Sequence, residues 1–304
     1  MAAEAGAEPL HMTRLLRALS ALGLLKENTP GTFSATAAGA LLDPGRPDSL
    51  ASFVRMFTEP AILRAWEHLD GSVRTGEIAF DTVFGTDFFS HLATHPELSS
   101  EFNAAMSQVV EETAVVLPQA FDFGRFTRVT DVGGGDGTLL ARVLDAHPGL
   151  TGVVFDTAEG LAQAPATLAW HGLEARCSVS AGDFFRAVPE GSDLYMMKSV
   201  LHDWTDEQAV TILRHCSRRA AAHRPCADHR ARASRGRRPR RRGRRHRRRG
   251  HVSERPQHAG ERGGRERTRT DFEDLCLRAG LSVTAVTPLP EAAPFSLIEA
   301  VPDR

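Results

Sequence analysis

The sequence predicts an α/β fold, a parallel sheet covered by helices and preceded by a helical N-terminal unit. Three observations carry this. From Arg128 onward, short apolar runs alternate with helical patterns, the rhythm of strand–helix–strand units in a parallel sheet. One connecting turn is Gly133-Gly134-Gly135-Asp136-Gly137, which follows a strand pattern and opens a helix. Before residue 120, apolar residues recur at helical rather than alternating spacing.

Residues 10–26 carry Leu15, Leu16, Leu19, Leu22, Leu24 and Leu25, which predict one helix. Residues 31–40 read as a turn and a short strand. A helix beside a short β wing suggests a winged-helix unit. It has few of the basic residues that phosphate contacts need, so packing and dimerisation are expected of it rather than DNA binding. Over 50–120, Phe53, Val54, Phe57, Trp66, Leu69 and Val73 form one set of apolar stripes, and Phe88, Phe89, Phe102 and Met106 another. Such stripes build cores, and a few of these residues could line an aromatic pocket. RVTDVGGG reads as a strand entering a glycine turn, and GVVFDT, CSVSAGDFF and DLYMMKSVLHDW as the next three strands, with TLLARVLDAHP, ended by Pro148, and DEQAVTILRHC as helices between or after them. TRTDFEDLCLRAGL is a capped helix, and SVTAVTPLP and FSLIEAVP are closing strands.

With 304 residues, 41% of them hydrophobic, the chain can bury a sizeable core. No apolar run reaches bilayer length. The start, MAAEAGAEPLHM, lacks the basic and apolar regions of a signal peptide. Cys177, Cys216, Cys226 and Cys276 have no metal-ligand or disulfide spacing. A cytoplasmic protein with reduced thiols and no metal is expected. The net charge of −1 conceals an asymmetry: residues 217–262 hold 18 Arg against Asp228, Glu254 and Glu261, so this tract is +15 and the remainder −16.

The glycine turn lets a ligand approach the backbone and offers free N–H groups at a helix start. Gly133 and Gly135 are its candidate contacts. Asp131, the acid at the strand end, suits a ligand amino group better than a pyrophosphate. Asp156 ends the next strand, where a carboxylate can accept both hydroxyls of a ribose. Asp183 and Phe184 follow the third strand, and an acid beside an aromatic can bind an adenine amino group and cover its face. Asp183 could instead simply cap a helix. His202 follows the fourth strand. An imidazole there, with an unperturbed pKa of about 6.5, can act as a general base on a phenol, whose pKa is near ~10. The alternative is a His that caps the next helix.

DVGGGDG, FDT, GDFF, MKSVLHDW and GGRERT occur together in an order that resembles the plant caffeate and acetylserotonin O-methyltransferases and their bacterial polyketide and anthracycline-type relatives. The resemblance covers about residues 4–216 and 263–302. It implies a Rossmann-like class I methyltransferase domain behind an N-terminal winged-helix dimerisation domain, divided here as 1–115 and 116–304. It also implies S-adenosyl-L-methionine as cofactor, held by Asp156, Asp183, Phe184 and Lys198, and a likeness to homodimeric enzymes that act on small aromatic hydroxylated substrates. His202 would be the base and Glu266 the carboxylate that orients it. Trp66, Phe102 and Met106 match positions that line the acceptor pocket, and Asp203 joins them beside the base.

Two departures accompany the resemblance. The chain begins late in the winged-helix unit, so the preceding dimerisation helices are expected to be missing. The Arg tract at 217–262 has no counterpart. Shifted by one base, codons for residues 227–231 can encode Leu-Ile-Ile-Glu-Pro, and those for 254–262 can encode Ser-Asp-Leu-Asn-Met-Leu-Val-Asn-Val. Both resemble the family's sequence at these places, and the second runs directly into Gly263. A compensated change of reading frame between about Cys216 and Gly263 is therefore expected, and with it a poorly stable chain with little or no methyltransferase activity. The rival readings are a cofactor-binding paralogue impaired in catalysis, and a regulator that binds nucleic acid through the winged helix and the Arg tract. No aromatic residues are interleaved in that tract to stack on bases.

Overall fold

The computed structural model describes residues 1–222 except 47, and residues 264–303 except 293 and 294. Most of the expected Arg-rich tract, 223–262, thus lies outside the described residues.

The first helix, α1 (Pro9–Ala21), is shorter than its leucine pattern. Gly23, at φ +79°, turns the chain out of it. Residues expected to continue the helix instead form β1 (Leu25–Thr29), which pairs antiparallel with β2 (Thr32–Ala35) across a turn at Gly31, φ +80°. Positive φ costs glycine least, so two glycines override the leucine spacing. A short α2 (Ala37–Ala40) follows, capped by the Thr36 side chain on Gly39 N–H at 3.1 Å.

Residues 51–120 are helical, as the stripes require: α3 (Ala51–Phe57), α4 (Pro60–Trp66), α5 (Leu69–Thr75), α6 (Ala79–Phe84), α7 (Phe88–Ala93) and the long α8 (Pro96–Ala120). Met56, Ile62, Phe80, Phe88 and Leu92 form their buried core. Helix α8 runs unbroken past residue 115, the expected domain junction.

The α/β part is built on β3 (Arg128–Val132), β4 (Thr151–Asp156), β5 (Cys177–Ala181) and β6 (Leu194–Met196). All pair parallel, in the order β5-β4-β3-β6. Helices α9 (Thr138–Ala146) and α10 (Ala164–Trp170) cover one face with α8. Helices α11 (Asp206–Ala222) and α12 (Arg269–Arg278) cover the other. Apolar side chains on both faces are what a parallel sheet needs. The cap expected at the start of α12 is present, and it takes the form of a capping box between Thr268 and Asp271. The closing strands β7 (Leu281–Pro288) and β8 (Ser296–Pro302) pair antiparallel with one another as a separate two-stranded sheet among the described residues, rather than continuing the parallel one.

Candidate active site

The carboxyl ends of β3, β4 and β6 open onto one cleft of about 1830 Å³, which reaches across to α8. Strand β3 delivers Asp131 and then the glycine turn. Gly133 and Gly135 have φ of +72° and +53°. A Cβ on Gly133 would stand 2.5 Å from Val200 Cγ2, so close packing as well as conformation demands glycine here. Gly133 and Gly134 donate to the Phe155 carbonyl at 2.8 and 3.2 Å, which ties the turn to β4.

Asp156 closes the opposite side. Its Oδ2 accepts the Gly135 N–H at 2.9 Å and its Oδ1 the Thr157 N–H at 2.7 Å. Burial still raises its carboxyl above the ordinary range, against those two bonds. Asp131 is 2% exposed, and its Oδ2 is buried with no hydrogen-bond partner among the described residues. Burial first, and then the Asp156 charge, pushes this carboxyl up to about 7. Burial likewise lowers the Lys198 ammonium to about 8, against the pull of Asp131. Lys198 Nζ lies 4.5 Å from the Phe295 ring centre. The next residue, Ser199, has φ +56° and is alone among the described non-glycine residues in having positive φ; such strain collects at functional sites.

An orphaned carboxylate oxygen in this position has a consequence for stability. In the unfolded chain Asp131 titrates near the ordinary value of about 4, and in the folded chain at about 7. The folded state therefore binds more protons between these values and loses stability as pH rises through that window. Asp131→Asn removes the cost. Its melting midpoint relative to the parent is expected to rise by several degrees between pH 4.5 and 7 and then to level off. Parallel melting curves at every pH would remove Asp131 as the cause.

His202 stands six residues beyond β6, in a single 3-10 turn, Leu201–Asp203. Its Nδ1 meets Glu266 Oε1 at 3.2 Å, and its Nε2 lies 3.6 Å from Asp203 Oδ1. At the start of α11, Thr205 N–H and Oγ1 both donate to Gln208 Oε1, at 3.1 and 2.9 Å. Arg267 fastens this turn. Its guanidinium is fully buried and donates to the carbonyls of Leu201 and Trp204 and to Asp206 Oδ1, the last two at 2.7 and 2.8 Å. The chain's return is packed as tightly: a Cβ on Gly264 would fall 1.8 Å from the His202 carbonyl oxygen.

Phe88, Phe89, Phe102, Met106 and Trp204 also line the cleft and make one part of its wall aromatic. Phe89 stacks on Trp204 with ring centres 5.5 Å apart. Phe184 meets the same indole edge-on at 5.9 Å. Asp183 is exposed; its Oδ1 accepts the Phe185 N–H at 2.8 Å within a turn, not at the start of a helix, and it also lines the cleft. Of the residues singled out from sequence, Asp131, Gly133, Gly135, Asp156, Asp183, Phe184, Lys198, His202, Asp203, Glu266, Phe102 and Met106 all border this one cleft. Trp66 does not. It ends α4 and packs against the core of Met56, Ile62 and Phe80, because its helix turns that face inward. Sequence reasoning missed Arg267, Asn103, Ser107 and Asp136. Only Arg267 and Asp136 lay in motifs already singled out, GGRERT and DVGGGDG.

Comparison with known proteins decides the family. The O-methyltransferase domain family matches residues 66–225. The chain belongs to it. It is 43% identical to the O-demethylpuromycin-O-methyltransferase of Streptomyces alboniger over 99% of this chain and 79% of that one. The structure of mitomycin 7-O-methyltransferase superposes with a TM-score of 0.82 at 32% identity, covering 99% of this chain and 86% of the other. An O-methyltransferase from neocarzinostatin biosynthesis, solved with S-adenosylmethionine and 2-hydroxy-5-methyl naphthoic acid, superposes with a TM-score of 0.78 at 29% identity, covering 99% and 87%. The α/β part is thus a class I methyltransferase fold, the chain is a methyltransferase, and its cofactor is S-adenosylmethionine. These relatives lend no support to the nucleic-acid regulator or to the impaired paralogue. Among the described residues, no helix is long and apolar enough to cross a membrane.

Proposed function

We propose that this methyltransferase acts on a hydroxyl of a small aromatic or polyketide-type metabolite, with His202 as general base. The observation that carries the reading is the His202–Glu266 contact, 3.2 Å, in a cleft whose other wall is Phe89, Phe102 and Trp204. The residues present suit the cofactor. The unpartnered, buried Asp131 oxygen faces a site where the ligand's ammonium group would satisfy it. The Asp156 carboxylate takes the ribose hydroxyls, Asp183 and Phe184 the adenine, and Lys198 and the Gly133–Gly135 backbone complete the cradle. When bound, S-adenosylmethionine supplies a methyl group already activated on a sulfonium sulfur, so the protein's work is positioning and deprotonation.

With Nδ1–H donated to Glu266, Nε2 of His202, 3.6 Å from Asp203 Oδ1, carries the lone pair that accepts the hydroxyl proton. Glu266 holds that tautomer and, with Asp203, favours the imidazolium as it forms. Phe102, Met106 and the Phe89–Trp204 stack sandwich a flat acceptor and keep water from it. In the same reading, residues 1–115 serve as a winged-helix packing and dimerisation unit, 116–304 as the catalytic domain, and the protein works as a cytoplasmic homodimer.

The test is methyl transfer from labelled S-adenosylmethionine to a panel of phenols and hydroxynaphthoic acids. Label is expected on the hydroxyl oxygen, and Asp156→Ala should weaken S-adenosylhomocysteine binding by about ten- to a hundredfold, as loss of a charged acceptor does. Labelling of amines only would overturn the acceptor class. Unchanged affinity in Asp156→Ala would remove that residue from the site.

A further inference from the structure

Helix α8 presents two stripes. Phe102 and Met106, four residues apart, line the aromatic part of the cleft wall. Asn103 and Ser107, each one position further along and again four apart, share the neighbouring face, since i and i+4 lie one above the other on a helix. That face grips the cofactor loops. Asn103 is 8% exposed. Its Nδ2 donates to the Glu159 carbonyl and to Gln163 Oε1, both at 2.9 Å, with the Gly160 carbonyl at 3.5 Å. Ser107 Oγ donates to Asp136 Oδ2. Asp136 in turn accepts from Thr138 N–H at 3.1 Å and Thr138 Oγ1 at 3.0 Å, at the start of α9.

Both partners adjoin Asp156. The loop that Asn103 holds starts at Thr157, which donates to Asp156 Oδ1. It passes so near that a Cβ on Gly160 would lie 2.7 Å from Asp156 Cγ. Asp136 follows Gly135, which donates to Asp156 Oδ2. The carboxylate is thus clamped between two backbone segments, and each segment is tied to α8 by one buried or half-buried side chain.

We propose that Asn103 and Ser107 are positioning residues that set cofactor affinity by holding the Asp156 loop and the glycine turn against α8, and that this helix thereby couples acceptor binding to cofactor binding. The proposal rests on the assignment of Asp156 to the cofactor given above. An acceptor seated on Phe102 and Met106 restrains α8, and the same restraint favours the cofactor-ready arrangement of both loops. Such coupling is reciprocal: each ligand tightens the other by the same factor.

The experiment uses the full chain and titration calorimetry with S-adenosylhomocysteine, alone and with a saturating hydroxynaphthoic acid. In the parent the acid should tighten binding several-fold. Asn103→Ala and Ser107→Ala should weaken binding about three- to tenfold, as loss of one hydrogen bond does, and should bring the acid's effect towards none. Ser107→Thr keeps the hydroxyl and should restore affinity to within about twofold of the parent. At saturating S-adenosylmethionine, kcat should stay within about twofold while KM for the cofactor rises, since neither side chain touches the reacting atoms. If Asn103→Ala fails to fold, the Ser107 pair alone decides. Parent-like affinity in Ser107→Ala, loss in Ser107→Thr equal to that in Ser107→Ala, or an acid effect absent from the parent or undiminished in the variants overturns the proposal. A parent that binds no S-adenosylhomocysteine overturns the cofactor assignment itself, a different and separately visible failure.

Discussion

In a version of the chain that turns over, such as one with the reading frame restored across 217–262, His202→Ala is expected to lower kcat by about 10²–10⁴-fold, the usual contribution of a positioned general base, while S-adenosylhomocysteine affinity stays close to that of the parent. The reason is in the proton inventory. A phenol with pKa near ~10 is scarcely ionised at neutral pH, and His202, with Nδ1 against Glu266 at 3.2 Å, carries its second ring nitrogen, Nε2, 3.6 Å from Asp203 Oδ1 in the same cleft. Two further readouts separate a base from a merely structural residue. The deficit should shrink as pH approaches 10, because the phenolate then forms without help. Glu266→Gln should cause a smaller loss than His202→Ala, since the amide can still accept from Nδ1–H but cannot stabilise the imidazolium. Turnover within a few-fold of the parent across neutral pH would assign deprotonation to another group or to solvent.

Restoring the alternative reading frame across 217–262 is expected to raise the melting midpoint by about 10 °C or more and to enlarge the further rise caused by S-adenosylmethionine. Among the described residues the parallel sheet ends at β6 on one side, and β7 and β8 pair only with each other. Helix α11 leaves β6 and ends at Ala222. In a parallel sheet such a helix leads back to a strand beside the one it left. The sequence ADHRARASRG that follows has no β-branched run and carries charges that a buried strand cannot accommodate. The shifted frame offers Leu-Ile-Ile instead. Burying three such side chains contributes roughly 5 kcal/mol, and about 2–4 °C per kcal/mol follows for a chain of this class. Both chains would be expressed and melted with and without cofactor. Coincident melts would make the Arg tract a tolerated insert and dispose of the frame argument.

What the sequence by itself determined is whatever depends on spacing within a single strand, turn or helix. The passage from β3 through the glycine turn into α9 was legible because strand, glycine and helix signals are all local, and so were Asp131, Asp156 and His202 as residues at or beyond the carboxyl ends of β3, β4 and β6. The cap of α12 at Thr268 was legible for the same reason. Local signals also misled. The leucines over 10–26 have helical spacing, yet Gly23 and Gly31 turn the chain into a hairpin because they alone adopt positive φ there without a steric cost. Motif likeness singled out Glu266, but only the tertiary structure put it against His202, 64 residues away along the chain. It also decided that Arg267 is buried under the His202 turn, that Trp66 faces a helical core rather than the cleft, and that Asn103 and Ser107 reach the loops around Asp156. These are contacts between elements. They depend on which face of a helix packs against which strand end, and periodicity along one element gives the face but not the neighbour it will meet.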